Sequence, residues 1–171
     1  MMPETTGAAM DLMTPTPLFH LFIPTAEKIM DLRRHLMDDY LYTPDRLRSP
    51  GAVDKTLWDM LNQQNAIYYE IGNWQGLAGM SNIFPGWSAH VTLKFWGTEL
   101  WGKQMVREMR KVLDFLERQF RLVRLESHTA DPRIEKLTHL IGFETEGRKK
   151  KGFIFDGQYY DLIMLGRVKE G

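Results

Sequence analysis

The sequence predicts an α/β fold, a single domain built on a mixed, mostly antiparallel sheet of six or seven strands flanked by about four helices. Three observations predict it. Strand-like and helix-like hydrophobic periods alternate along the chain. Three strand-like runs follow one another between residues 66 and 96, as in an antiparallel meander. Between residues 88 and 129 a strand, a long amphipathic helix and another strand occur in succession, the pattern of a right-handed parallel crossover.

Taken in order, Leu18 to Ile23 is apolar and bounded by Pro17 and Pro24, which marks a first strand. Thr25 offers an N-cap to a helix from about Ala26 to Tyr40, in which Ile29, Leu32, Leu36 and Tyr40 share a face. A second helix opens at Pro50-Gly51, keeps Val53, Leu57, Met60 and Leu61 on one side and ends over Asn62 to Asn65. Ala66 to Ile71 and Gln75 to Ile83 read as strands joined by a tight Gly72-Asn73 turn. Ser88 to Trp96 is the third run, with Val91, Leu93 and Phe95 on one face and His90, Thr92, Lys94 and Trp96 on the other. From Gly102 to Phe120 the period becomes helical, carried by Met105, Met109, Val112, Leu113, Leu116 and Phe120. Leu122 to Thr129 is a further strand, and Asp131-Pro132 opens a short helix that Gly142 stops. A long strand from Phe143 to Phe155 is interrupted by the basic run Arg148 to Lys151, which reads as a solvated bulge. Asp156-Gly157 then turns the chain into a closing strand from Gln158 to Val168.

Composition narrows the function. At 171 residues and 43% hydrophobic, the chain can bury one substantial core, and the domain is expected to run from residue 18 to 171. Residues 1 to 17, rich in proline and threonine, are expected to form a disordered leader. Basic and acidic side chains number 22 each, so no cationic excess favours a nucleic-acid partner. The absence of cysteine removes disulfides, thiolate nucleophiles and thiolate-bound metals, and no metal site is expected. No segment approaches a membrane span and no signal peptide is evident, so a cytoplasmic protein without a membrane partner is expected.

The loop from Gly97 to Lys103 joins the carboxyl end of a strand to a helix N-terminus. Such a corner suits an anion, because unpaired backbone N–H groups and the helix dipole converge on it. Its Trp101-Gly102-Lys103-Gln104 enters the long helix. Further on, Lys136-Leu137 lead to Gly142-Phe143, followed by Glu146-Gly147, Arg148 and Phe155-Asp156-Gly157-Gln158-Tyr159-Tyr160-Asp161. In order and spacing these residues resemble the GNAT superfamily of acyl-CoA N-acyltransferases, and within it the branch of ribosomal-protein alanine acetyltransferases.

The resemblance implies acetyl-CoA as acyl donor and a primary amine as acceptor, either a protein N-terminus or a small molecule, reacting by direct attack in a ternary complex. The alternative it leaves is a non-catalytic GNAT-fold binding or structural module. By the same resemblance, Phe95 and Trp96 would lie along the pantetheine, Gly97, Trp101, Gly102, Lys103 and Gln104 around the pyrophosphate, and Asp131 near the cofactor. Glu108 stands at the spacing of a family glutamate on the first turn of the long helix. The chain departs from the family pattern at Gln104, where glycine is usual, at Asp131 and Ile134, and at Thr138, where many members have a tyrosine that protonates the leaving thiolate. Pairing through edge strands, common in the family, would give a homodimer.

A general base should be a carboxylate or imidazole near the sheet centre. His90, Glu126, Glu70 and His128 meet that condition by position. His90 is the first choice, since it lies on the strand that would carry the thioester and its unperturbed pKa needs little adjustment. Glu126 is the second, and a water chain is the third. Each of these side chains also has an ordinary reading as a strand residue facing solvent. Asp131 is equally an N-cap ahead of Pro132. Trp74, Tyr159 and Tyr160 read either as core or as the wall of an acceptor pocket.

Overall fold

In a computed structural model of the chain, residues 15–37, 50–62, 64–96 and 102–169 are described. Seven strands form one mixed sheet in the order β1-β2-β3-β4-β5-β7-β6. They are β1 Phe19–Leu21, β2 Ile67–Ile71, β3 Gly76–Phe84, β4 Ser88–Phe95, β5 Arg124–Thr129, β6 Glu144–Phe155 and β7 Gln158–Val168. Four helices accompany them: α1 Ala26–Met37, α2 Pro50–Asn62, α3 Lys103–Phe120 and α4 Pro132–Leu140. Only the β4–β5 pair is parallel, which is the crossover that α3 spans.

The pleat divides the core into two layers. On one face Tyr69, Ile71, Ala78, Met80, Val91 and Phe95 bury against Met105, Met109, Val112, Leu113 and Leu116 of α3, the stripe that the helical period requires. Leu137 of α4, with Ile141 and Phe143 just beyond it, extends this layer. On the other face Leu77 meets Leu32 and Leu36 of α1 and Val53 and Leu57 of α2, bordered by Tyr68, Trp74 and Trp96. Tyr40, and the side chains of Met60 and Leu61, lie outside the described residues.

The structure departs from the expected elements in three places. The first strand is only three residues long. The β2–β3 connection is a four-residue turn, Gly72 to Gln75, because Ile71 pairs with Gly76. Gly72 and Trp74 both take positive φ, 58° each, which places the indole of Trp74 back over the sheet instead of in a strand. Residues 1–14 of the expected leader lie outside the described residues, yet Thr16 is already buried and bridges to Phe19, so packing begins ahead of residue 18.

In the β6–β7 hairpin, Lys149 pairs with Leu162 and Phe153 with Tyr160, so β6 carries two extra residues there. Lys151 adopts φ 52° within this bulge, and its backbone N–H donates to Asp161 Oδ1 at 3.0 Å. The second half of the basic run, Lys150 and Lys151, therefore sits on a bulge of an edge strand, and Arg148 and Lys149 remain paired just before it. Among the described residues no helix is long and apolar enough to cross a membrane.

Candidate active site

The site begins with a divergence of strands. Parallel pairing of β4 and β5 covers Ser88↔Arg124, Ala89↔Leu125 and His90↔Glu126 and then ends, although β4 stays paired with β3 as far as Phe95 and β5 with β7 as far as Thr129. The buried hydroxyl of Ser127 bridges the parting strands by donating to the Val91 carbonyl at 2.9 Å. A one-residue irregularity in β3 between Ser81 and Phe84, with Asn82 at φ 49°, twists the neighbouring hairpin at the level of His90. The result is a wedge between two strands that widens toward the carboxyl end of β4.

α3 starts at that end of the chain path. Its N-cap, Gly102, has an extended backbone and makes no side-chain cap hydrogen bond, and Val106 N–H to Gly102 C=O is the first intrahelical bond. The N–H groups of Lys103, Gln104 and Met105 thus precede the helical ladder. Among the described residues a Cβ placed on Gly102 would meet nothing within 4 Å. Lys103 and Gln104 are exposed on this first turn. A helix N-terminus without a side-chain cap, following in sequence on the strand that opens the wedge, suits a ligand with an extended polar arm and an anionic group. Gly97 and Trp101 lie outside the described residues.

The remaining expected cofactor contacts are distributed differently. The side chain of Phe95 is buried in the α3 layer, leaving its backbone for any strand-like contact. Trp96 turns toward α1: its indole N–H donates to the Trp74 carbonyl at 2.5 Å, and its ring stacks on His35 with centroids 4.4 Å apart. Trp74 in turn donates to Asp31 Oδ2 at 2.6 Å, stacks on Phe22 and meets Trp96 edge-on. His35 Nε2 lies 3.3 Å from the same Asp31 oxygen. This latch of Asp31, His35, Trp74 and Trp96 fastens α1 to the open end of β4. Sequence reasoning did not include Asp31 or His35. Their four-residue spacing on the helix was the available signal.

Asp131 caps α4. Its Oδ1 accepts from the Arg133 N–H at 2.8 Å, and the Arg133 guanidinium pairs with Oδ2 at 2.7 Å. Burial raises its proton affinity, but these bonds outweigh it and hold the carboxyl below its ordinary value. The capping reading accounts for the whole side chain. Thr138 is buried with its hydroxyl donating to the Glu135 carbonyl at 2.8 Å, an inward helix-backbone bond. Glu108 is not on the first turn of α3. It lies one turn further in, buried, with Arg107 at 3.3 Å and Lys111 at 3.2 Å on Oε1. Burial pushes its pKa up, and the bonds from Lys111 and Arg107 bring it below the ordinary value.

At the narrow end of the wedge, where the pairing stops, stand two imidazoles. His90 Nε2 and His128 Nδ1 are 3.1 Å apart, with ring centroids at 4.9 Å. The register puts His90, Thr92 and Lys94 on the α1/α2 face, opposite Ser81, Gly79 and Leu77. Burial lowers the pKa of His90, the neighbouring His128 lowers it further, and Glu126 partly opposes both. Burial and the Lys94 charge lower that of His128. Both rings are therefore neutral near pH 7. Glu126 is exposed, with Oε1 accepting from Arg124 Nε at 2.7 Å, and the same guanidinium forks onto Glu146. Glu70 is tied to Lys28 of α1, away from the wedge. Tyr159 is exposed, with the Lys151 ammonium over its ring, and lies on the β6–β7 hairpin with the half-buried Tyr160. Among the described residues no group of three or more histidines and carboxylates could hold a metal.

A seven-stranded mixed sheet with one parallel, splayed pair and a helix crossing between its members is the GNAT fold. Solved structures share it across nearly the whole chain. A spermidine N-acetyltransferase from Vibrio cholerae in complex with CoA and spermine superposes with a TM-score of 0.70 at 16% identity, over 90% of this chain and 96% of that one. Ribosomal-protein-S5-alanine acetyltransferase from Vibrio fischeri gives 0.66 at 18% identity, over 91% and 95%. A ribosomal L7/L12 alpha-N-protein acetyltransferase in complex with coenzyme A gives 0.68 at 15%, over 91% and 97%. No protein-family model matches the sequence, and no curated protein matches it.

Proposed function

We propose that this protein is an N-acetyltransferase that passes the acetyl group of acetyl-CoA to a primary amine, a protein N-terminus or a small molecule. The observation that carries this reading is the β4–β5 wedge, closed at one end by Ser127, with α3 following β4 in the chain and starting without a side-chain cap. Similar solved structures are described with CoA, one of them also with spermine, which supports a CoA donor and an amine acceptor.

In this reading the strand edge of β4 beyond His90 receives the pantetheine arm, and the first-turn N–H groups of α3 with Lys103 receive the phosphates. The donor supplies an activated acyl group already joined to a good leaving thiol. The protein holds the acceptor beside it, and His90 accepts a proton from the amine as the C–N bond forms. A neutral imidazole at the point where the strands part is suited to that step, because only the unprotonated ring can accept. Glu126, exposed and held by Arg124, contributes negative potential to that face and is not the proton acceptor.

One observation favours the second reading, a CoA-binding module without turnover. The Thr138 hydroxyl is buried and committed to the Glu135 carbonyl, so α4 offers no acid for the departing thiolate there. The two readings separate in one experiment. Thermal unfolding with excess acetyl-CoA should raise stability by about 2.7 kcal/mol at a hundredfold excess over Kd, and CoA release should then follow with spermidine or a peptide bearing an N-terminal alanine. A shift without release supports the module, and no shift sinks both. His90→Ala should lower turnover at least tenfold with the acetyl-CoA shift unchanged.

A further inference from the structure

Giving His90 the amine's proton leaves that proton's exit unassigned. Resting on the acetyl-transfer reading, we propose that His128 is the relay through which it leaves, His90 Nε2–H donating to His128 Nδ1 and His128 releasing a proton from Nε2 to water. The two atoms are at hydrogen-bonding distance, 3.1 Å, across the seam where β4 and β5 part. His90 is half-buried at the wedge and His128 exposed, so the pair runs from inside to outside. Among the described residues neither ring makes any other hydrogen bond, which leaves His90 Nδ1 for the acceptor amine and His128 Nε2 for solvent.

The direction of the shared bond decides whether His90 can be a base. Were His128 Nδ1–H the donor, neutral His90 would carry its own proton on Nδ1 and have no lone pair there for the amine. With His90 Nε2–H as donor, Nδ1 is the open lone pair. The balance is then one proton in and one out. The amine proton adds to His90 Nδ1, the Nε2 proton moves to His128 Nδ1, and the Nε2 proton of His128 passes to water. Each ring ends neutral in its other tautomer, and exchange with water restores the start.

The charged surroundings favour passage over storage. Lys94 on β4 and Arg124 on β5 are cationic, and Glu126 on β5 is the one carboxylate registered beside His90. Ser81 on β3 and Met164 on β7, the partners of His90 and His128 in the neighbouring strands, are not ionisable. An imidazolium on His90 is opposed by burial and by the neighbouring His128, and one on the exposed His128 by the Lys94 charge, so the proton moves on toward solvent.

Nitrogen-15 NMR of the imidazoles in the full chain tests the proposal without turnover. Both rings are expected in the Nε2–H tautomer, with His128 Nδ1 as acceptor. A protonated Nδ1 on His128 in the resting protein overturns it. Kinetics supply the second arm, with spermidine or an alanine peptide as acceptor. His128→Asn keeps an acceptor for His90 but cannot relay, so it should lose at least tenfold in kcat with KM within twofold, as should His128→Ala. Added imidazole should restore part of the loss only in His128→Ala, which leaves the space. Full kcat in His128→Asn overturns the relay and leaves the acetyl-transfer reading standing. No CoA release by the unaltered protein with any amine overturns both.

Discussion

Ser127→Ala removes one hydroxyl at the point where β4 and β5 part, and its cost follows from what that hydroxyl holds. Ser127 is buried, and its Oγ donates to the Val91 carbonyl at 2.9 Å just past the last β4–β5 pair. Alanine fits the space and adds no strain, so the loss is the hydrogen bond and a buried carbonyl deprived of that donor. Such a group costs about 1–3 kcal/mol. At roughly 2–4 °C per kcal/mol for a chain of this size, Tm should fall by about 2–12 °C. Urea denaturation gives the cleaner number: the midpoint should drop with the m-value unchanged, since the surface exposed on unfolding is the same. The acetyl-CoA-induced shift should also shrink, because the brace sets the width of the wedge. A stability change below about 0.5 kcal/mol, outside the range expected for a buried unpaired carbonyl, would refute the view that Ser127 braces the strands.

Three other outcomes are expected. Gly76→Ala places a Cβ 2.6 Å from the Lys94 carbonyl, a backbone atom that cannot step aside, so it should destabilise by about 1–3 kcal/mol in urea titration. Arg121 ends α3 in the left-handed region at φ 55°, ψ 38°, so Arg121→Gly should raise stability by about 0.5–1 kcal/mol, read by the same titration. The lowered pKa values of His90 and His128 mean that the unfolded chain binds protons the folded chain refuses. Stability should therefore decline as pH falls below 6.5, until the folded rings themselves titrate, and His90→Gln with His128→Gln should flatten that slope. A further decline below pH 4.5 and 3.8 is expected from Glu108 and Asp131, whose folded values are depressed.

How far these features could be read from the sequence depends on whether one element or several make them. α3 was legible because Met105, Met109, Val112, Leu113 and Leu116 state its buried face by spacing alone. The α4 cap was legible because Asp131 and Pro132 act within one turn. The alternation of β4 put His90, Thr92 and Lys94 on one face correctly. The wedge was not legible as geometry, since it consists in where pairing stops, and register depends on both strands at once. The His90–His128 contact joins residues 38 apart through that register, so the sequence could offer each only as a separate candidate. Trp96 was expected to lie along the cofactor, and what the sequence did not disclose is that its side chain belongs to a latch assembled from α1, the β2–β3 turn and β4. The unexpected length of that turn, with Trp74 at positive φ, is what brings the latch together.

The bulge in β6 bears on what the margin of the sheet offers to another extended chain. β6 is one of the two margins of the sheet, and just past Arg148 and Lys149, which still pair with β7, it presents Lys150 and Lys151 on backbone that has slipped out of register. A second extended chain approaching that margin would find lysines and a left-handed kink where it needs a straight row of amides. The other margin, β1, is three residues long and offers little to copy. Strand-to-strand growth of this sheet is thereby discouraged at both ends, so a chain still completing its long-range β5–β7 pairing is protected from recruiting its neighbours.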